Sequence, residues 1–114
     1  MNFISNLKYV VFLTISLSAS ASYALTCNFE TECVESENCA EGAFTLDIDF
    51  TLHEVSTDFG DLDVVAISRS PSLLTMPANG EGANYFLTKT DGGARLSVHM
   101  EDGPMMINYL GTCQ

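Results

Sequence analysis

Tryptophan is absent from this 114-residue chain, and positive charge is scarce: four lysines and arginines stand against fifteen acidic residues. So little basic charge excludes nucleic acid as a partner, because phosphate recognition needs clustered lysine and arginine. An anionic membrane surface is disfavoured for the same reason. Without tryptophan, a small domain has little surface for gripping a glycan. The carboxylate pairs Asp47/Asp49, Asp61/Asp63 and Glu101/Asp102 therefore read as solvated side chains rather than the acid and base of a glycosidase. There is no G-x-S-x-G elbow, no C-x-x-C redox pair and no two cysteines at the two-to-four-residue separation of a zinc site. No catalytic residue, metal ligand or cofactor is assigned, and the expectation is a protein that is not an enzyme.

Long apolar runs are also missing. The longest, Tyr9 to Ser18, covers about ten residues, half the roughly twenty that cross a bilayer as a helix. Lys8 precedes it as the only charge in residues 1–24, and the small residues of "ASASYA" follow. This order describes a secretory signal peptide over residues 1–24, cut after Ala24 with Ser22 and Ala24 as the small flanking residues. Ala19-Ser20-Ala21 offers a cut three residues earlier. Thr26 in front of Cys27 argues against a lipid-anchored form. Residues 25–114 are expected to be one exported domain, periplasmic or extracellular, with no stable membrane anchor in the mature chain. All fifteen acidic residues fall there, opposed only by Arg69, Lys89 and Arg95; three against fifteen gives a net charge of −12. Such a field attracts a basic protein or a cation, and also keeps an exported domain soluble.

The cysteines are four, Cys27, Cys33, Cys39 and Cys113. An even count in a short exported domain predicts two structural disulfides. Three pairings are open; the favoured one joins Cys27 to Cys113, tying the chain ends, and Cys33 to Cys39, closing a small acidic loop. A helix over residues 31–39 would turn Cys33 and Cys39 to different faces and rule out the second bridge.

Strand patterning is clearest in "FTLDIDFTLH", where Phe44, Leu46, Ile48, Phe50 and Leu52 alternate with polar residues, predicting a strand with one buried face. "LDVVAISR" (Leu62 to Arg69) reads as a second strand entered through the turn-rich "TDFGD". "SLLTM" lies between Pro71 and Pro77 and is expected as an edge or short strand. "NYFLTKT" and "ARLSVHM" flank "DGG", a hairpin signal, and "EDGP" turns the chain into "MMINYLGTC". The glutamate-rich segment Glu30 to Glu41 reads as a loop or a short helix. Six or seven antiparallel strands with no helical period predict an all-β meander closing into a small barrel or sandwich, stapled by disulfides.

His53 and His99 both fall on predicted wet faces. Ser97 shares a face with His99, but two residues along a strand do not make a dependable nucleophile–base contact. "DFGDLD" (Asp58 to Asp63) supplies three hard oxygen ligands but lacks the twelve-residue loop of a calcium hand.

The chain resembles short secreted bacterial cysteine-rich β proteins of unknown function, sharing the early cysteine triplet and a "YLGTC"-like end. Its last part, "DGGARLSVHMEDGPMMINYLGTC", is similar to the C-terminal part of periplasmic inhibitors of C-type lysozyme. Gly93-Ala94-Arg95, Gly103, Tyr109 and Cys113 carry that outline. The second resemblance implies a compact antiparallel barrel with a bridge between its terminal regions. It also implies a partner-binding loop at Gly92, Gly93, Ala94 and Arg95, together with Asp102. Gly92 replaces the inhibitors' loop serine, Leu96 their aromatic residue and Asp102 their lysine, so tight inhibition is not expected. The functional expectation is a non-catalytic exported domain binding another envelope macromolecule, with a basic protein as the candidate partner. The alternatives are an accessory periplasmic protein without a soluble ligand, or a divergent lysozyme inhibitor.

Overall fold

Apolar residues alternate with polar ones through most of the chain, and that period builds strands throughout. A computed structural model describes residues 24–114. The signal peptide expected over residues 1–24 lies, apart from Ala24, outside the described residues. Nine strands follow in order: β1 Ala24–Val34, β2 Ala40–Asp49, β3 Glu54–Thr57, β4 Gly60–Val64, β5 Ser68–Ser70, β6 Leu73–Gly80, β7 Ala83–Thr90, β8 Gly93–Met100 and β9 Met105–Cys113. No helix occurs among the described residues.

Every pairing is antiparallel. The chain meanders from β1 to β4 and from β6 to β9, and β9 returns to pair with β1. The ring closes where β4 meets β6 through two residue pairs, Asp63 with Asn79 and Val64 with Ala78. The result is an eight-stranded up-and-down barrel, with β5 as an extra short strand on β6. Closure removes the open edges that a small sheet would otherwise present.

The expected sandwich-or-barrel meander is thus a barrel, and its strand count exceeds the six or seven expected. Part of the difference is the glutamate-rich segment. It is neither helix nor long loop: β1 runs through Val34 and β2 begins at Ala40, leaving a five-residue connection. Pairing with β2 and β9 satisfies the β1 backbone on both sides. "LDVVAISR" divides between β4 and β5. "SLLTM" extends past Pro77 into a barrel strand. Pro77 is tolerated because its carbonyl accepts from the Val65 N–H (2.9 Å), so its own nitrogen faces the gap between β4 and β5, where no ladder partner needs a donor.

The alternation also runs shorter than expected at the end of β2. Phe44, Leu46 and Ile48 are buried, Phe50 is half-buried, and Leu52 is 62% exposed. The Asp49 carboxylate accepts from the N–H groups of Thr51 (2.9 Å) and Leu52 (3.0 Å), and this side-chain turn ends the strand. His53 completes the loop at φ +55°.

Inside the barrel, Phe29, Leu46, Ile48, Val55, Met76, Leu87 and Leu96 are almost fully enclosed, and among the described residues no polar or charged one is buried. Eight strands leave an interior just wide enough for side chains to fill. Each such apolar residue stabilises the fold by roughly 1.5–3 kcal/mol. Cys27 lies directly opposite Cys113 across β1 and β9 and is bonded to it; Cys33 is bonded to Cys39 across the β1–β2 connection. Two such bridges place the domain in an oxidising, non-cytoplasmic environment. None of the described helical segments could cross a membrane, since there are none.

Candidate ligand site at the barrel mouth

In a meander the hairpin turns alternate between the two ends of the barrel. The β1–β2, β3–β4, β6–β7 and β8–β9 turns share one end. The β2–β3 and β7–β8 turns share the other with Ala24 and Gln114. The first end is held together by hydrogen bonds between its turns. Glu35 exchanges with Met106, its N–H donating to the Met106 carbonyl (3.1 Å) and its carboxylate accepting from the Met106 N–H (2.9 Å). The Glu101 N–H donates to the Gly82 carbonyl (3.0 Å).

Within this rim the barrel opens into a cavity of about 420 Å³, lined by Phe44, Phe59, Glu81, Tyr85, Val98, Met100, Ile107 and Tyr109. Inward strand positions supply most of this lining. Tyr85 alternates with Ala83 and Leu87 on β7, Val98 with Leu96 on β8, and Tyr109 with Ile107 on β9. The aromatic rings are layered. Phe44 stacks on Tyr109 with centroids 4.8 Å apart, Phe29 supports both from below at 6.2 and 6.1 Å, and Phe59 covers Phe44 from the β3–β4 turn at 5.9 Å. Such tilted and stacked pairs are favoured by the ring quadrupoles. Phe59 remains 69% exposed, a large apolar ring held at the entrance.

Two carboxylates meet the rings. Glu32 reaches the mouth through a bulge: β1 slips register between Phe29 and Thr31, so that Phe29 opposes Gly111 and Glu32 opposes Tyr109. Gly111 and Tyr109 share one face of β9, which puts Phe29 and Glu32 on one face although they are three positions apart. Burial, the Glu32 charge, a hydrogen bond to Glu32 and the nearby Tyr85 push the Tyr109 hydroxyl up to about 12. Burial and the Glu81 charge also raise Tyr85. Glu81 sits in the two-residue β6–β7 turn with Gly82, at φ +54° and +74°, a type I′ geometry. Its carboxylate occupies the space above Gly60, where a Cβ would lie 2.6 Å from Oε1. Gly60 itself adopts φ +145°, a backbone conformation that favours glycine, whereas a Cβ there would displace only the flexible end of Glu81.

The basic residues lie elsewhere. Arg69 stacks over the Phe50 ring at 4.2 Å near the opposite end, in a depression that Lys89 also lines. Arg95 points outward from β8.

The partner-binding loop expected from sequence is not one place. Gly92 and Gly93 lie at the β7–β8 turn, on the opposite end, beside a surface depression lined also by Ala94 and Arg95. Asp102 lies beyond the far end of β8, in the β8–β9 turn. The eight residues of β8 hold the two regions roughly 25 Å apart at the rise of an extended strand. His53 is in the β2–β3 turn and His99 is exposed on β8, and the Ser97 hydroxyl donates to Asn108 Oδ1 (2.8 Å) instead of to His99. Asp58 accepts from the Thr45 N–H (3.1 Å). Among the described residues no cluster of three or more histidine, cysteine, aspartate or glutamate side chains could hold a metal ion.

Outside the barrel, acidic residues line up in register. Asp49 opposes Glu54, and Glu54 opposes Asp63, giving three carboxylates in one row across β2, β3 and β4. Asp47, Ser56 and Asp61 form the next row. Sequence reasoning identified the charge but not these rows, since register is not readable from one strand. Of the mouth, it singled out Tyr109, the Phe44 strand and the face shared by Val98 and Met100. The inward parity of Tyr85, two residues from both Ala83 and Leu87, was the available signal for the rest. The chain matches no protein-family model, no curated protein and no solved structure.

Proposed function

We propose that this chain is a non-catalytic exported binding protein, periplasmic or extracellular, whose β2–β3–β4 face meets a basic macromolecule. The observation that carries this reading is the row Asp49–Glu54–Asp63. Like charges directly opposite on adjacent strands destabilise a sheet, and none of the first four strands carries a lysine or arginine to offset them. An arrangement that costs stability in the free domain is repaid when a cationic surface covers it. The disulfides agree with export.

The test is capture of proteins from a periplasmic extract on the immobilised domain, at low and at high salt, beside a Glu54→Lys, Asp63→Lys variant. A basic protein held at low salt, released at high salt and lost in the variant supports the reading. Capture that survives both the salt and the variant rejects it. C-type lysozyme serves as a purified basic probe. Salt-sensitive association is expected, without tight inhibition, because Gly92 and Asp102 lack the inhibitors' side chains and stand at opposite ends of β8.

A further inference from the structure

The mouth of the barrel lies at the opposite end from the Asp49–Glu54–Asp63 row, and its chemistry differs. Its floor and walls are aromatic and aliphatic, its volume of about 420 Å³ suits a small molecule, and its one lining charge is Glu81. No basic residue lines it. Glu81 also has an unusual backbone. It takes a left-handed conformation that favours glycine, asparagine or aspartate at this turn position, and its exposed side chain lies over Gly60 at the start of β4. Departures of this kind from local preference collect at functional sites. A carboxylate lining the same cavity as the Phe44, Tyr85 and Tyr109 rings is complementary to a positive charge carried on an apolar body. Such a cation gains from the ring quadrupoles as well as from the opposite charge.

The geometry points to the barrel mouth as a binding site for a small organic ammonium ion, whose charge meets Glu81 and whose apolar part packs among Phe44, Phe59, Tyr85 and Tyr109. Glu32 supports the site without facing the ligand directly, since it accepts the Tyr109 hydroxyl and fixes that ring. Phe59, exposed and packed on the Phe44 ring, is the residue a ligand would cover. This proposal is independent of the acidic outer face.

Titration of the purified oxidised protein with benzyltrimethylammonium, followed by NMR, tests the assignment, with benzyl alcohol as neutral comparator and benzoate as the anion. The cation is expected to shift resonances of Phe59, Tyr85, Val98 and Tyr109, to bind at least tenfold more tightly than benzyl alcohol, and to exclude benzoate. Glu81→Gln should weaken it tenfold or more, Glu81→Asp should recover part of the loss, and Glu54→Gln should leave it unchanged. An unchanged barrel spectrum in each variant separates loss of binding from loss of fold. Equal affinity for benzyl alcohol and the cation would overturn the proposal in favour of a neutral apolar ligand. Shifts confined to β2, β3 and β4 would assign the cation to the outer acidic rows instead and reject the mouth. Absence of any shift at saturating cation would reject it as well.

Discussion

Gly111 in β9 backs directly onto Phe29 in β1: a Cβ built on the glycine would lie 2.6 Å from the Phe29 Cα and would run into the Asn28 carbonyl oxygen. This contact sits beside the β1 bulge, where the chain brings Glu32 round to the mouth. The glycine is needed for space, not for an unusual φ. Gly111→Ala should therefore destabilise the fold by about 3 kcal/mol or more, since both clashing partners are backbone. It should also loosen the Phe29–Tyr109 packing. A denaturant melt measures the first effect, and a melt within about 0.5 kcal/mol of the parent would show that β1 and β9 are not so closely apposed.

The two disulfides differ in the length of chain they close, 86 residues for Cys27–Cys113 and 6 for Cys33–Cys39. Loop-closure entropy gives about 4–5 kcal/mol for the first and about 2 for the second. The long bridge also covers the seam at which the last strand meets the first. Replacing Cys27 and Cys113 together by alanine and valine should lower stability more than replacing Cys33 and Cys39. The opposite order in a denaturant melt would contradict this ranking.

Strand parity was readable wherever a strand is regular. Leu46 and Ile48 on β2 and Leu96 and Val98 on β8 alternate with outward residues and are buried as the period demands. Parity fails where a local event intervenes. The bulge after Phe29 reverses the faces of the residues beyond it. Strict alternation would have turned Thr31 and Cys33 inward and hidden Glu32 from the site. The Asp49 side-chain turn likewise stops an alternation that continues on paper to Leu52. The Glu81 carboxylate lies beside Gly60, 21 positions away across the β4–β6 seam, and no local pattern encodes such a pair.

The buried face of β2 gives a contrast between neighbours. Ile48 is 1% exposed, so Ile48→Ala should cost about 2–5 kcal/mol. Asp47 is exposed, and its side chain accepts a hydrogen bond from the Thr26 hydroxyl at 2.7 Å. Asp47→Ala should change stability by less than about 0.5 kcal/mol. Comparable losses at the two positions would contradict the inward and outward assignment of β2.

Glu54 stands between Asp49 and Asp63 in one row, so a lysine there replaces two cross-strand repulsions with two attractions. Pairs of this type are each worth about 0.2–1 kcal/mol, and Glu54→Lys should stabilise the free domain by about 0.5–2 kcal/mol. The gain should shrink as salt rises, because these side chains are in water. Thermal melts at two salt concentrations measure it. A destabilised variant would mean that the acidic row is not under mutual repulsion.

Tyr109 makes the stability of the barrel depend on alkaline pH. Burial comes first among the causes, and the Glu32 carboxylate beside it adds both a charge and a hydrogen bond that hold the phenol neutral; together these raise its pKa from 10.0 to about 12. An unfolded chain would release that proton near pH 10, whereas the folded barrel keeps it. The stabilisation is therefore complete below pH 10 and falls away as the pH rises towards 12. The total is of the order of 2–3 kcal/mol, from about 1.4 kcal/mol per pKa unit. Two measurements check this. Tyrosinate absorbance of the folded protein should show Tyr109 titrating far above the ordinary range, and Glu32→Gln should bring it down by removing the charge. Denaturant melts between pH 9 and 12 should lose stability more steeply in the parent than in Tyr109→Phe, which has no proton to release. A Tyr109 transition near pH 10 would show that its hydroxyl is in water and that Glu32 does not reach the mouth.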